Sequence, residues 1–189
     1  DQMKIDNFSS YSMDFDGVDD YVALGADSGL QPASAFTVSG WIKLETIGIY
    51  NTIIRNNTSA GGNGYALWIN TSNKASITIT QAAPASWTSA TGTTVFTTGV
   101  WYHVLGTWDG ANLKIYVNGV LEATTAATAI YYDGSSEGYI GAYSTYEAHA
   151  SIDDVSIFNT ALSALEVTTI FNSGEPTDLS EESGLVAYY

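Results

Sequence analysis

The ten residues from Leu113 to Glu122, LKIYVNGVLE, constrain the fold of this chain more than any other stretch. Ile115, Tyr116 and Val117 favour an extended backbone, and Val120 and Leu121 resume it. Between them, Asn118 and Gly119 accept positive φ at little cost. The segment therefore predicts a β-hairpin closed by a two-residue type I′ turn. Upstream, Trp101-Tyr102-His103 begins a strand that Thr107-Trp108-Asp109-Gly110 ends in an Asp-Gly turn. Short strands and polar turns recur along the chain. Residues 13–24 read as two strands about a turn at Asp16-Gly17, and further strands are expected at 36–44 and 49–55. Residues 65–69 and 75–80 read as partners about a turn at 70–74. Strands at 101–107, 113–117, 120–125, 138–143 and 152–158 complete the set. In 36–44, Phe36, Val38, Gly40 and Ile42 share one face, and Thr37, Ser39 and Trp41 the other. The stretches 56–64 and 82–94 read as loops, the second carrying Trp87. Such spacing marks an all-β, two-sheet antiparallel sandwich.

One segment departs from this grammar. In Thr160–Phe171, Ser163 and Glu166 form a capping-box pair, and Leu162, Leu165, Val167 and Ile170 suit a short amphipathic helix that Gly174 and Pro176 end. The expected organisation is a single domain over 1–189 with its core in about 12–172. An acidic, linker-like stretch follows at 173–183, and a last strand at 184–189 either closes the same sheet, the favoured placement because an exposed apolar edge is a liability, or begins a neighbouring unit.

Charge narrows the partners. There are 20 acidic residues against 5 basic ones, a formal charge of −15. No basic patch exists to meet a nucleic-acid backbone, and an anionic membrane surface is disfavoured. The excess suits divalent cations or a screening, salty medium. The absence of cysteine excludes disulfides and thiolate metal sites. No apolar run approaches the length of a membrane span, and residues 1–12 lack the apolar core of a signal peptide.

Four landmarks stand in order: Phe15-Asp16-Gly17-Val18-Asp19-Asp20-Tyr21-Val22; Phe36 to Ile42 (FTVSGWI); Trp101 through Asn118-Gly119; and Ile152 to Ser163 (IDDVSIFNTALS). Together they resemble a laminin G-like domain of the concanavalin A-like lectin/glucanase superfamily, in the branch near pentraxins. The resemblance covers about residues 12–172 and implies an antiparallel jelly roll. It also implies a structural Ca²⁺ tying the early Asp-Gly turn to the late strand, with Asp16, the Gly17 carbonyl and Asp153 as ligands. Asp19, Asp20 and Asp154 are weaker candidates. Calcium takes six to eight oxygen ligands, which paired Asp residues on turns can supply. Strand alternation would put Asp153 and Asp154 on opposite faces. The chain departs from the family at Tyr146–Ser151 (YEAHAS), where an aromatic residue and then a glycine are usual.

Sugar binding requires aromatic platforms and planar polar groups. The candidates are Tyr65, Trp68, Trp87, Tyr143 and Tyr146, with His149 in the loop before Asp153; Tyr50, Arg55, Asn56 and Asn63 lie near them in sequence. A glycosidase needs two carboxylates flanking the scissile bond. The Glu-x-Asp spacing of related glucanases is absent, so no catalytic pair is assigned. His103 reads as a satisfied sheet histidine. The leading expectation is a non-catalytic, calcium-stabilised module that recognises carbohydrate or a surface protein. It would belong, beside neighbouring domains, to a larger extracellular, cell-surface or virion-surface protein. The competing expectation is a structural or assembly domain of a phage particle, filament or multidomain adhesin, without saccharide binding.

Overall fold

The computed structural model describes residues 11–56, 63–81, 86–132, 136–141 and 146–189. Its strands form two antiparallel sheets. The first contains β1 (Met13–Asp16), β3 (Phe36–Leu44), β8 (Trp101–Trp108), β9 (Asn112–Val117), β10 (Val120–Ala126), β12 (His149–Phe158) and β13 (Leu185–Tyr188). Their order is β1-β12-β3-β8-β9-β10, with β13 paired to the second half of β12. The second contains β2 (Val22–Gly25), β4 (Asn51–Asn56), β5 (Tyr65–Ile69), β6 (Ala75–Thr80), β7 (Trp87–Thr91) and β11 (Gly138–Ile140), in the order β2-β11-β4-β5-β6-β7. The protein is thus a β-sandwich with one short helix, as its strand grammar predicts.

The core lies between the sheets. Phe36, Val38, Ile42, Val104, Ile115 and Ile152 from one sheet meet Ile54, Leu67, Ile77 and Ile79 from the other. Gly106 sets the approach of the two layers: a Cβ there would stand 2.7 Å from Ile77 on the opposite sheet. The Asn118-Gly119 turn has φ of 49° and 75°, as a type I′ hairpin requires. Its Asn118 Oδ1 also accepts the His103 N–H at 2.9 Å, fastening the hairpin to β8.

Helix α1 (Ala164–Phe171) starts at the capping box. Ser163 Oγ accepts the Glu166 N–H, and a Glu166 carboxylate oxygen accepts the Ser163 N–H at 2.6 Å. The helix lies on the outer face of the seven-stranded sheet, where Val167, Ile170 and Leu162 pack on Leu105, Tyr116 and Phe158. Leu165 does not join them and is 77% exposed. It lies two residues from Val167, about 200° around the helix.

Three sequence expectations need correction. Residues 87–91 are not loop but β7, the edge strand of the second sheet. Hydroxyl pairs across its ladder, Ser76–Thr91 at 2.5 Å and Thr78–Ser89 at 2.8 Å, take the place of an apolar face, so alternation conceals it. The Asp16-Gly17 turn joins no hairpin: β1 and β2 belong to different sheets. The acidic stretch after the helix packs against the domain. Leu179 is buried beside α1, and the Tyr188 hydroxyl reaches the Thr177 carbonyl at 3.3 Å.

Candidate functional site

On β5, Leu67 and Ile69 point into the core, so Trp68 between them points out of the second sheet. Tyr50, just before β4, and Tyr146, just before β12, meet it there. The Tyr50 ring lies 5.2 Å from that of Trp68 and 4.7 Å from that of Tyr146, and Trp68 meets Tyr146 edge-on at 5.9 Å. The Thr52 hydroxyl donates to the Tyr146 carbonyl at 3.0 Å, pinning the Tyr146 segment to β4. Tyr146 is 39% exposed, so the cluster reaches solvent. Along the same face Ser76 and Thr78 are buried, their hydroxyls bonded to those of Thr91 and Ser89 on β7, which are themselves exposed.

The other ligand candidates lie elsewhere. Tyr65 points inward, fully buried, and stacks on Phe36 at 4.9 Å. Burial pushes its phenol pKa well up. It is a core residue, because the inward positions of β5 are 65, 67 and 69. Trp87 is exposed on the outer face of β7. It is two strands across and four residues along from Trp68, roughly 16 Å by strand geometry. Tyr143 lies outside the described residues. His149 is a structural pin: its Nδ1 bonds the Thr46 hydroxyl at 2.8 Å, and its backbone N–H donates to Asn51 Oδ1 at 2.8 Å.

The structure brings together three of the predicted calcium ligands. Carboxylate oxygens of Asp16, Asp19 and Asp20 lie within 4.8 Å of one another on an exposed turn. Asp16 Oδ1 accepts the Val18 N–H at 2.8 Å, and Asp20 Oδ2 accepts the Asp16 N–H at 3.0 Å. Each carboxylate keeps a second oxygen, and the span suits an ion with ligands at about 2.3–2.6 Å. Gly17 permits the turn. Its φ is 79°, and a Cβ there would stand 3.0 Å from His149 Cβ.

Asp153 is not part of this group. Asp16 pairs with His149, four residues before Asp153 on β12, which puts them roughly 13 Å apart. The expected alternation of Asp153 and Asp154 also fails. The ladder between β12 and β3 shifts register between Asp153 and Ser156, and Asp154 has φ 49°. Asp154 reaches the Tyr188 hydroxyl at 2.5 Å on β13, while Asp153 stands beside Trp41. Burial raises the pKa of both carboxyls.

His103 is not satisfied as expected. It is buried between Trp41 and Phe171, with ring centroids 5.2 Å and 6.1 Å away, and its Nδ1 has no partner. Burial lowers its pKa from 6.5 to about 4. Several glutamates have structural partners. Glu122 accepts the N–H groups of Thr93 and Thr94 at 2.8 and 3.1 Å, and Glu166 caps α1. The Tyr139 hydroxyl bonds Glu137, and Glu45 faces Lys43 at 3.9 Å. Among the described residues no helix is long and apolar enough to cross a membrane.

A two-sheet antiparallel sandwich with one capped helix on one outer face, and aromatic rings on the other, defines a lectin-like β-sandwich. The chain belongs to the concanavalin A-like lectin/glucanases superfamily, whose laminin G family model matches residues 16–168. No curated protein matches it in sequence. Solved structures share the fold at low identity. The carbohydrate-binding module of the Ruminococcus gnavus IT-sialidase, bound to α2,3-sialyllactose, is similar at TM-score 0.69 and 12% identity over 85% of this chain and 98% of that one. A Bacteroides ovatus protein assigned to carbohydrate binding gives 0.64 and 23% over 82% and 45%. The binding domain of botulinum neurotoxin DC gives 0.63 and 19%, and the chain spans only 39% of it.

Proposed function

We propose that this domain is a non-catalytic binding module that recognises carbohydrate through the outer face of the six-stranded sheet. The observation that carries this reading is the Tyr50–Trp68–Tyr146 cluster: rings from three separate segments converge on the outer face, where Tyr146 reaches solvent. An indole or phenol face covers the C–H face of a pyranose, while neighbouring polar groups meet its hydroxyls. The carbohydrate-bound neighbour with the same fold supports this ligand class. A Ca²⁺ held by Asp16, Asp19 and Asp20 would brace the turn that crosses between the sheets. The setting is extracellular or on a cell or particle surface, beside other domains of a larger protein.

Calorimetric titration against an oligosaccharide panel that includes α2,3-sialyllactose tests the reading. The expected result is binding of at least one saccharide, weakened about tenfold or more by Trp68→Ala and by Tyr146→Ala, or about 1.4 kcal/mol. No binding by the folded protein with calcium present would overturn the carbohydrate reading and favour the assembly role.

A further inference from the structure

The half of the seven-stranded sheet's outer face that α1 leaves uncovered holds a cavity of about 380 Å³. Trp41 and Lys43 on β3, Trp101 on β8 and Asp153 on β12 line it, with Ser12 and Pro176. None of these residues belongs to the aromatic cluster proposed to bind saccharide. The size lies within the range of small-ligand pockets.

Three features of the cavity point to one ligand chemistry. First, Asp153 brings in a carboxylate with no ion-pair partner among the described residues. Its Oδ1 accepts the Asp154 N–H at 2.9 Å, while the ion pairs among the described residues are Lys43–Glu45 and Lys114–Asp109. Second, the Trp101 ring, 37% exposed, already attracts a cation: Lys43 Nζ lies 5.4 Å from its centroid. Lys43 is lightly held, since Glu45 is 3.9 Å away and its own side chain is 31% exposed. Third, a further cavity of about 330 Å³ shares Lys43 and continues past Asp14, Asp16 and Glu45. Along the two cavities, four carboxylates face one lysine, on a chain of net charge −15.

We propose that this groove binds an alkylammonium or guanidinium group, the Lys or Arg side chain of a basic segment on a partner protein. Asp153 is its counter-ion, Trp101 its aromatic wall, and Lys43 an internal stand-in that the incoming cation displaces. A cation over an indole is attracted by the negative face of the ring, more strongly as it is desolvated. The acidic surroundings raise the encounter rate at low salt. A neutral saccharide would also meet Trp101 and Asp153, but it would use Lys43 as a hydrogen-bond donor. The two occupants therefore make opposite demands on Lys43.

The test is tryptophan fluorescence during titration with pentalysine and, separately, with a neutral oligosaccharide. Wild type, Asp153→Asn and Lys43→Met are compared at low salt and at about 0.5 M salt. Asn at 153 keeps an acceptor for the Asp154 N–H, so the local turn is retained. The expected result is saturable pentalysine binding, tightened several-fold by Lys43→Met, weakened about tenfold by Asp153→Asn and weakened by salt. Absence of saturable pentalysine binding in both wild type and Lys43→Met would overturn the proposal. So would unchanged binding in Asp153→Asn, or binding of the saccharide alone with loss in Lys43→Met. Because no residue is shared with the Trp68 patch, Trp68→Ala leaves pentalysine binding unchanged, which separates this failure from that of the saccharide reading.

Discussion

Acid should weaken this domain through one side chain, His103. It sits under the end of α1 between Trp41 and Phe171, with Nδ1 unpartnered, so the fold holds it neutral. Its pKa falls from 6.5 to about 4 on folding. The unfolded chain therefore binds the proton first, and stability present above pH 6.5 is lost as pH falls towards 4. Linkage with those two values gives a loss of about 2 kcal/mol by pH 5 and about 3 kcal/mol by pH 4. Asp153 and Asp154 act in the opposite sense. Their raised pKa values let the folded state bind protons before the unfolded one, so acidification through the carboxylate range adds stability. The difference between wild type and His103→Leu removes that shared contribution, since Leu fills the same apolar site without titrating. Urea unfolding at pH 7.5, 6, 5 and 4.5 should show the wild type losing about 2 kcal/mol relative to His103→Leu by pH 5, and thermal unfolding a midpoint lowered by roughly 4–8 °C. Parallel pH profiles for the two proteins would refute the reasoning.

Other expectations can be checked by the same unfolding assays. Gly106→Ala puts a Cβ 2.7 Å from Ile77 on the opposite sheet, and should cost about 1–3 kcal/mol by overpacking. Glu122→Ala strips acceptors from the Thr93 and Thr94 N–H groups, which tie the turn after β7 to β10. Partial solvation holds its cost to about 1–2 kcal/mol, read as a lowered urea midpoint. If Asp16, Asp19 and Asp20 hold calcium, a hundredfold excess over Kd should stabilise the domain by about 2.7 kcal/mol. Chelator should remove the gain, Asp16→Asn should abolish it, and Asp153→Asn should leave it intact.

Much of the architecture was legible because local chemistry and global fold agree in it. The Asn118-Gly119 hairpin and the Ser163–Glu166 capping box each satisfy their own backbone, so sequence suffices to place them. β7 was illegible because its pairing with β6 runs through serine and threonine hydroxyls, which sequence patterning reads as loop. The site was harder still. Asp16 and Asp153 share a family pattern in sequence, yet the register of β1 on β12 sets Asp16 against His149. A register is a property of two strands, and neither strand's sequence states it. The same holds for the aromatic cluster. Trp68 and Tyr146 were among the candidates and Tyr50 lay nearby, but their meeting depends on the Thr52–Tyr146 bond and on which faces of β5 are buried. Tyr65 was indistinguishable from Trp68 in residue chemistry, and only inward parity separates them.

Where α1 docks also determines what the two outer faces can do. The helix end brings Phe171 onto His103 and Trp41. It therefore dries that part of the seven-stranded sheet and leaves Trp101, Lys43 and Asp153 at the border between covered and open surface. Across such a border the local dielectric falls, so the carboxylate of Asp153 interacts more strongly with a cation than a fully solvated one would. The opposite sheet carries no helix among the described residues, and its exposed rings lie where a flat, uncharged ligand can spread. The same fold thus separates a charge-selective groove from a stacking surface. Because no side chain is common to both, each can be removed by mutation without disturbing the other.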